Sequence, residues 1–149
     1  MKKLIIGLVT AIALILVSAP PASATSAGRH CRGHVSPNGQ LVAYACADLD
    51  HHDITGYVQG RGIWFKTNTN GPTTTITVRN VKLFRDGHVV EKTGNLGSWF
   101  LQTYEQSVGT AYTGSPTASP AWSATFYYTI KWPSGSSTIS SVSSYVVTF

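Results

Sequence analysis

The chain has 149 residues, 11% of them charged, and a formal net charge of +5. That length suits one hydrophobic core and is short for two. Its lysines and arginines are spread along the sequence without a cluster, which argues against a nucleic-acid-binding surface.

The first element is a leader. Lys2 and Lys3 precede an apolar run from Leu4 to Val17, interrupted only by Gly7 and Thr10. Ser18-Ala19-Pro20-Pro21 ends the run, since proline cannot continue a helix interior. Ala22-Ser23-Ala24 then offers the small-x-small pattern of a signal-peptidase site. Such a run reaches only about 21 Å as a helix, against a hydrocarbon core of about 30 Å. A cleaved signal peptide over residues 1–24 is therefore expected, and no stable transmembrane anchor. The exported domain would span residues 25–149, with a net charge reduced to +3 by loss of Lys2 and Lys3. The Lys-Lys start is bacterial in style, and the expected location is secreted, extracellular.

Two cysteines follow the leader, Cys31 and Cys46. In an oxidising compartment a disulfide between them is the default. It would close a hairpin across the Ser36-Pro37-Asn38-Gly39 turn, worth about 3 kcal/mol in the chain-entropy picture. The spacing is far longer than that of Cys-x-x-Cys redox or zinc motifs.

Strand signals then recur, and helix signals do not. Leu41–Cys46 is an apolar run after an Asn-Gly turn. Over Gly56–Phe65, Tyr57, Ile63 and Phe65 share one face, while Val58, Gly60, Gly62 and Trp64 share the other. Thr73–Phe84 alternates in two opposite phases, which predicts a β-bulge near Arg79-Asn80. Asp86-Gly87 is a strong hairpin turn before Val89–Lys92. Trp99–Val108 is read as one strand, with Phe100, Gln102 and Tyr104 opposite Trp99 and Leu101. Thr110–Pro120, rich in Gly, Ser, Thr and Pro, is read as a long loop. Trp122–Trp132 alternates over its whole length, the mark of a half-buried strand. Val142–Phe149 is read as the last strand.

This pattern predicts an all-β fold, a single small β-sandwich with one N-terminal disulfide. An immunoglobulin-like strand arrangement is compatible with it, although a 15-residue cysteine separation is not that of an immunoglobulin disulfide. A small β-barrel is the alternative.

One stretch concentrates reactive groups. His30 and His34 flank Cys31, and Asp48, Asp50, His51, His52 and Asp53 follow Cys46. The disulfide would draw both segments together. Imidazoles and carboxylates suit zinc, and several carboxylates suit calcium, so these seven residues are the candidate metal ligands. They match no established metal motif, and no cofactor is otherwise implied. The sequence shows no Gly-x-Ser-x-Gly elbow and only two glutamates, Glu91 and Glu105, so catalysis is not the leading expectation and no catalytic residue is assigned.

The aromatic residues point elsewhere. Tyr57, Tyr104 and Tyr127 fall on strand faces opposite the expected core. Flat rings among Gln, Thr and Asn suit stacking on sugars or contact with a protein. The expected function is therefore an extracellular, non-catalytic binding or interaction protein for a protein, cell-wall polymer or carbohydrate. The alternatives are a secreted bacteriocin-like toxin, an inhibitor of an extracellular enzyme, and a small metal-dependent hydrolase using the His/Asp cluster.

Overall fold

Period-two patterning between frequent turn residues folds the chain into antiparallel strands. A computed structural model describes residues 25–52, 57–68, 73–112 and 120–149. The expected leader (1–24), Asp53 and most of the expected 110–120 loop lie outside the described residues. The strands are β1 (Thr25–Val35), β2 (Val42–His52), β3 (Tyr57–Lys66), β4 (Thr75–Arg85) and β5 (His88–Lys92). They continue with β6 (Gly97–Phe100), β7 (Gln106–Tyr112), β8 (Ala121–Lys131), β9 (Ser137–Ser143) and β10 (Val147–Thr148).

Two sheets form. The first has the order β1-β2-β3-β7. The second has the order β10-β8-β4-β5, with β9 also on β8 and β6 also on β4. The described residues include no helix. The fold is thus the expected all-β sandwich: two separately hydrogen-bonded sheets packed on a shared core, not a single closed barrel.

Alternation decides what enters that core. β8 sends in Trp122, Ala124, Phe126, Tyr128 and Ile130, and β4 sends in Ile76, Val78, Val81 and Leu83. The phase change along β4 is a bulge between Val78 and Asn80, at the position its sequence predicts. β2 answers these bulky side chains with Ala43, Ala45, Ala47 and Leu49, all fully buried. β3 adds Val58 and Trp64 but places glycine between them, because the opposing sheet comes too close for a side chain. A Cβ at Gly62 would sit 2.6 Å from the Phe126 ring. Large residues on one sheet therefore meet small ones on the other, as close packing requires.

Two local features match their sequence signals. Asp86 and Gly87 both have positive φ, 49° and 79°, the conformation of a two-residue type I′ hairpin turn. Cys31 and Cys46 sit directly opposite each other in β1 and β2 and are bonded, so the N-terminal hairpin is stapled.

Two expected strands are each broken in two. Trp99–Val108 is not one strand. β6 lies at the edge of the second sheet, β7 lies at the edge of the first, and residues 101–105 cross between them. Leu101 turns inward at the crossing and is 2% exposed, which anchors the passage in the core. Its backbone N–H donates to Thr74 O, and Gln102 O accepts from Lys66 N–H. Likewise Val142–Phe149 splits at buried Ser144, whose N–H donates to Ala124 O and whose hydroxyl accepts from Ala124 N–H.

Candidate functional site

The stapled hairpin does bring the His- and Asp-bearing segments side by side. The alternation of β2, which continues through His52, then sends their side chains to different places.

Asp48 and Asp50 take the outer face of the first sheet, yet both are buried there. Asp48 Oδ2 accepts from the Ser26 hydroxyl at 2.5 Å and lies 3.4 Å from Arg29 Nε, while Oδ1 accepts from Leu49 N–H at 2.9 Å. Arg29 in turn grips Glu105 with both terminal nitrogens, at 2.7 and 3.3 Å. These bonds to Glu105 hold the guanidinium above its ordinary pKa, against a smaller opposing effect of burial. Asp50 accepts from Arg61 at 2.8 Å, and Arg61 also donates to Ser107. The acids are thus parts of a clasp. It runs from β1 and β2 across the sheet face to the 101–105 crossing and the start of β7.

The imidazoles scatter. His51 stacks on Phe149 with ring centres 4.3 Å apart, and His52 meets Tyr57 edge-on at 5.8 Å. His30 Nδ1 lies 2.9 Å from Ser143 O. His34 Nε2 lies 2.7 Å from the Tyr128 hydroxyl, in the seam where β1 faces β9. Arg32 donates to Ser140 Oγ there, and Ser140 is bonded to the Tyr128 hydroxyl. Partial burial, and secondarily the Arg32 charge, push His34 below the usual histidine pKa. Burial pushes Tyr128 up, opposed by Ser140 and Arg32. Among the described residues, no three His, Cys, Asp or Glu side chains gather where they could hold a metal ion. The remaining candidate ligand, Asp53, is outside the described residues.

The three candidate tyrosines are also dispersed. Tyr57 is half-buried beside His52 at one end of β3. Tyr127 lies on the outer face of the second sheet, with Lys82 Nζ 4.9 Å from its ring centre. Tyr104 is 64% exposed in the 101–105 crossing.

Close to Tyr104 in the chain is a ring not singled out above, Phe100, 60% exposed at the end of β6. It forms one wall of an open groove of about 250 Å³, completed by Lys66, Thr73, Thr74, Leu101 and Gln102. The groove sits at one end of the sandwich, where β3 ends, β4 begins and the chain crosses between sheets. Its walls are chemically mixed: an aromatic ring, an amide, a hydroxyl and an ammonium group. The available signal was the face assignment of Phe100 opposite Trp99 and Leu101. An outward phenylalanine has no hydrogen-bonding group, so the exposed part of its ring presents apolar surface to solvent. A second groove of about 260 Å³ lies between the 36–38 and 132–134 turns. Its tryptophan, Trp132, is 3% exposed, and the indole N–H donates to Thr138 at 2.9 Å. That ring is committed to the core.

No protein-family model, curated protein or solved structure matches the chain.

Proposed function

We propose that the protein is an extracellular, non-catalytic binding module and that it holds carbohydrate in the Phe100 groove. The observation that carries this reading is a bare phenylalanine ring walling a groove whose other walls are Gln102, Thr73 and Lys66. A pyranose presents apolar C–H faces and hydroxyl edges. A flat ring takes the first, and amide, hydroxyl and ammonium groups take the second. The groove is smaller than the about 300–1,000 Å³ of sites that engulf drug-sized ligands. It suits one ring of a longer chain laid across the surface. Tyr104, two residues beyond Gln102 in the chain, is exposed as well. The leader expected at residues 1–24 would deliver the domain to the space where such polymers occur.

Titration of the purified protein with soluble oligosaccharides and wall polymers, read by calorimetry and by NMR shifts, tests this reading. Binding should map to Phe100, Gln102 and Lys66. Phe100→Ala should weaken it several-fold, up to about tenfold, the scale of a lost stacking contact, and leave the far-ultraviolet spectrum unchanged. Failure of every neutral and acidic saccharide to bind, or binding indifferent to Phe100→Ala, would overturn it.

A further inference from the structure

The groove also carries charge, and its sign selects among saccharides. Lys66 ends β3 with its backbone N–H bonded to Gln102 O, which sets its side chain at the groove wall. The carboxylates that could neutralise it are engaged elsewhere: Asp48 and Glu105 with Arg29, Asp50 with Arg61. Asp86 accepts from Ala121 N–H at the opposite end of β4, and Glu91 stands on β5. Among the described residues no carboxylate pairs with Lys66.

A second cation stands on the other side of the ring. Thr75 is paired with Phe100 on one flank and with Lys131 on the other. Phe100, Thr75 and Lys131 therefore form one row across β6, β4 and β8, on the outward face of the second sheet. Two strand spacings separate Phe100 from Lys131, about 10 Å. Lys131 is exposed, and among the described residues it too has no carboxylate partner. The exposed ring therefore has Lys66 in its groove and Lys131 in its row, neither paired with a carboxylate among the described residues, and the row itself holds no anion. The domain's surplus of positive charge acts in the same direction.

We infer that the natural ligand is an acidic polysaccharide, with one sugar ring on Phe100 and carboxylates of the chain against Lys66 and Lys131. The inference rests on the carbohydrate reading of the groove and adds the ligand's charge. Ammonium groups on flexible stems serve as point charges for such a ligand, and exposed attraction of this kind weakens as salt rises.

The test compares an oligouronate with the same oligosaccharide after chemical reduction of its carboxylates to alcohols. Calorimetry at low and high salt would follow wild type, Lys66→Met, Lys131→Met, Phe100→Ala and Lys82→Met. The oligouronate should bind at least tenfold more tightly than its reduced form, and less tightly in high salt. Lys66→Met should weaken the oligouronate several-fold more than it weakens the reduced form, and Lys131→Met should weaken the oligouronate several-fold and leave the reduced form unaffected. Phe100→Ala should weaken both. Lys82, held against Tyr127 farther along the same face, is the control and should change nothing. Equal binding of both saccharides, or equal losses from Lys66→Met and Lys82→Met, would overturn the acidic ligand and leave the carbohydrate reading standing. Absence of binding by either saccharide, alongside a blank neutral panel, would remove both.

Discussion

Two polar regions of this sandwich use the same kinds of side chain to opposite ends. In the clasp on the first sheet, every charge has a partner: Asp48 with Ser26 and Arg29, Arg29 with Glu105, Asp50 with Arg61. In the groove at Phe100, the lysine has no carboxylate partner among the described residues and the ring is 60% exposed. The reactive-looking acids and histidines concentrate around the first region, and the surface proposed for binding is the second. Satisfied polar groups stabilise a fold, and unsatisfied exposed ones are free to recognise something else. Chemical richness in sequence here marks the internally satisfied region, and lack of a partner among the described residues marks the proposed site.

The clasp also positions the groove. Glu105 ends the crossing that begins at Phe100, so Arg29 ties the loop carrying Tyr104 back to the disulfide-bonded hairpin. Damage to the hairpin should therefore cost stability, whereas damage to the groove should cost binding alone.

The largest stability effect should come from the staple. Replacing Cys31 and Cys46 by alanine together releases a hairpin whose closure is worth about 3 kcal/mol. Urea denaturation should show a midpoint lowered accordingly, and the native spectrum should persist at low denaturant. An unchanged midpoint would mean that the β1–β2 ladder alone holds the hairpin.

Next in size is Asp48→Ala. It leaves the buried Leu49 N–H without its carboxylate acceptor, takes the partner of the Ser26 hydroxyl and removes one anion from Arg29. Because the carboxylate is fully buried, about 2 kcal/mol should be lost. Part of this is recovered by Arg29, which is partly exposed and keeps Glu105. Phe100→Ala should by contrast move the urea midpoint very little, since an exposed ring gives up few internal contacts. If Phe100→Ala proved as destabilising as Asp48→Ala, the distinction between clasp and groove would collapse.

The fold was legible in sequence where one residue's alternation belongs to one sheet. β8 alternates from Trp122 to Ile130 without a break, and the structure follows it. The bulge at Arg79 and the Asp86-Gly87 turn were equally legible, because a phase change and a positive-φ pair are local facts. The crossing at 101–105 was not. Trp99, Phe100 and Leu101 continue in, out and in as though still on one strand, and no local signal says that the next partner is β3 instead of β4. The full extent of β2 was hidden in the opposite way. Aspartate and histidine read as turn formers, so β2 appeared to stop near Cys46. Once β2 runs on to His52, neighbours such as Asp50, His51 and His52 must point to alternate faces. The disulfide then unites the segments without uniting their side chains.

The smallest expected effect sharpens the comparison at the seam between β1 and β9, where a group is partnered and still able to titrate. His34 faces the Tyr128 hydroxyl, and Arg32 and Ser140 complete its surroundings on that side. A consistent donor chain runs from Arg32 to Ser140, to Tyr128, and into a neutral His34 Nε2. Protonation of the imidazole removes the acceptor at its end. Burial and the Arg32 charge hold the folded-state pKa below the ordinary value, so the unfolded chain takes up the proton first. The His34 contribution to stability is then complete above about pH 6.5 and is lost as pH falls through the lower folded-state value. His34→Gln keeps an acceptor for Tyr128 but does not titrate. Urea midpoints between about pH 8 and pH 5 should fall less steeply for the variant than for wild type. Parallel profiles would place the acid sensitivity in other groups and leave the seam as inert as the clasp.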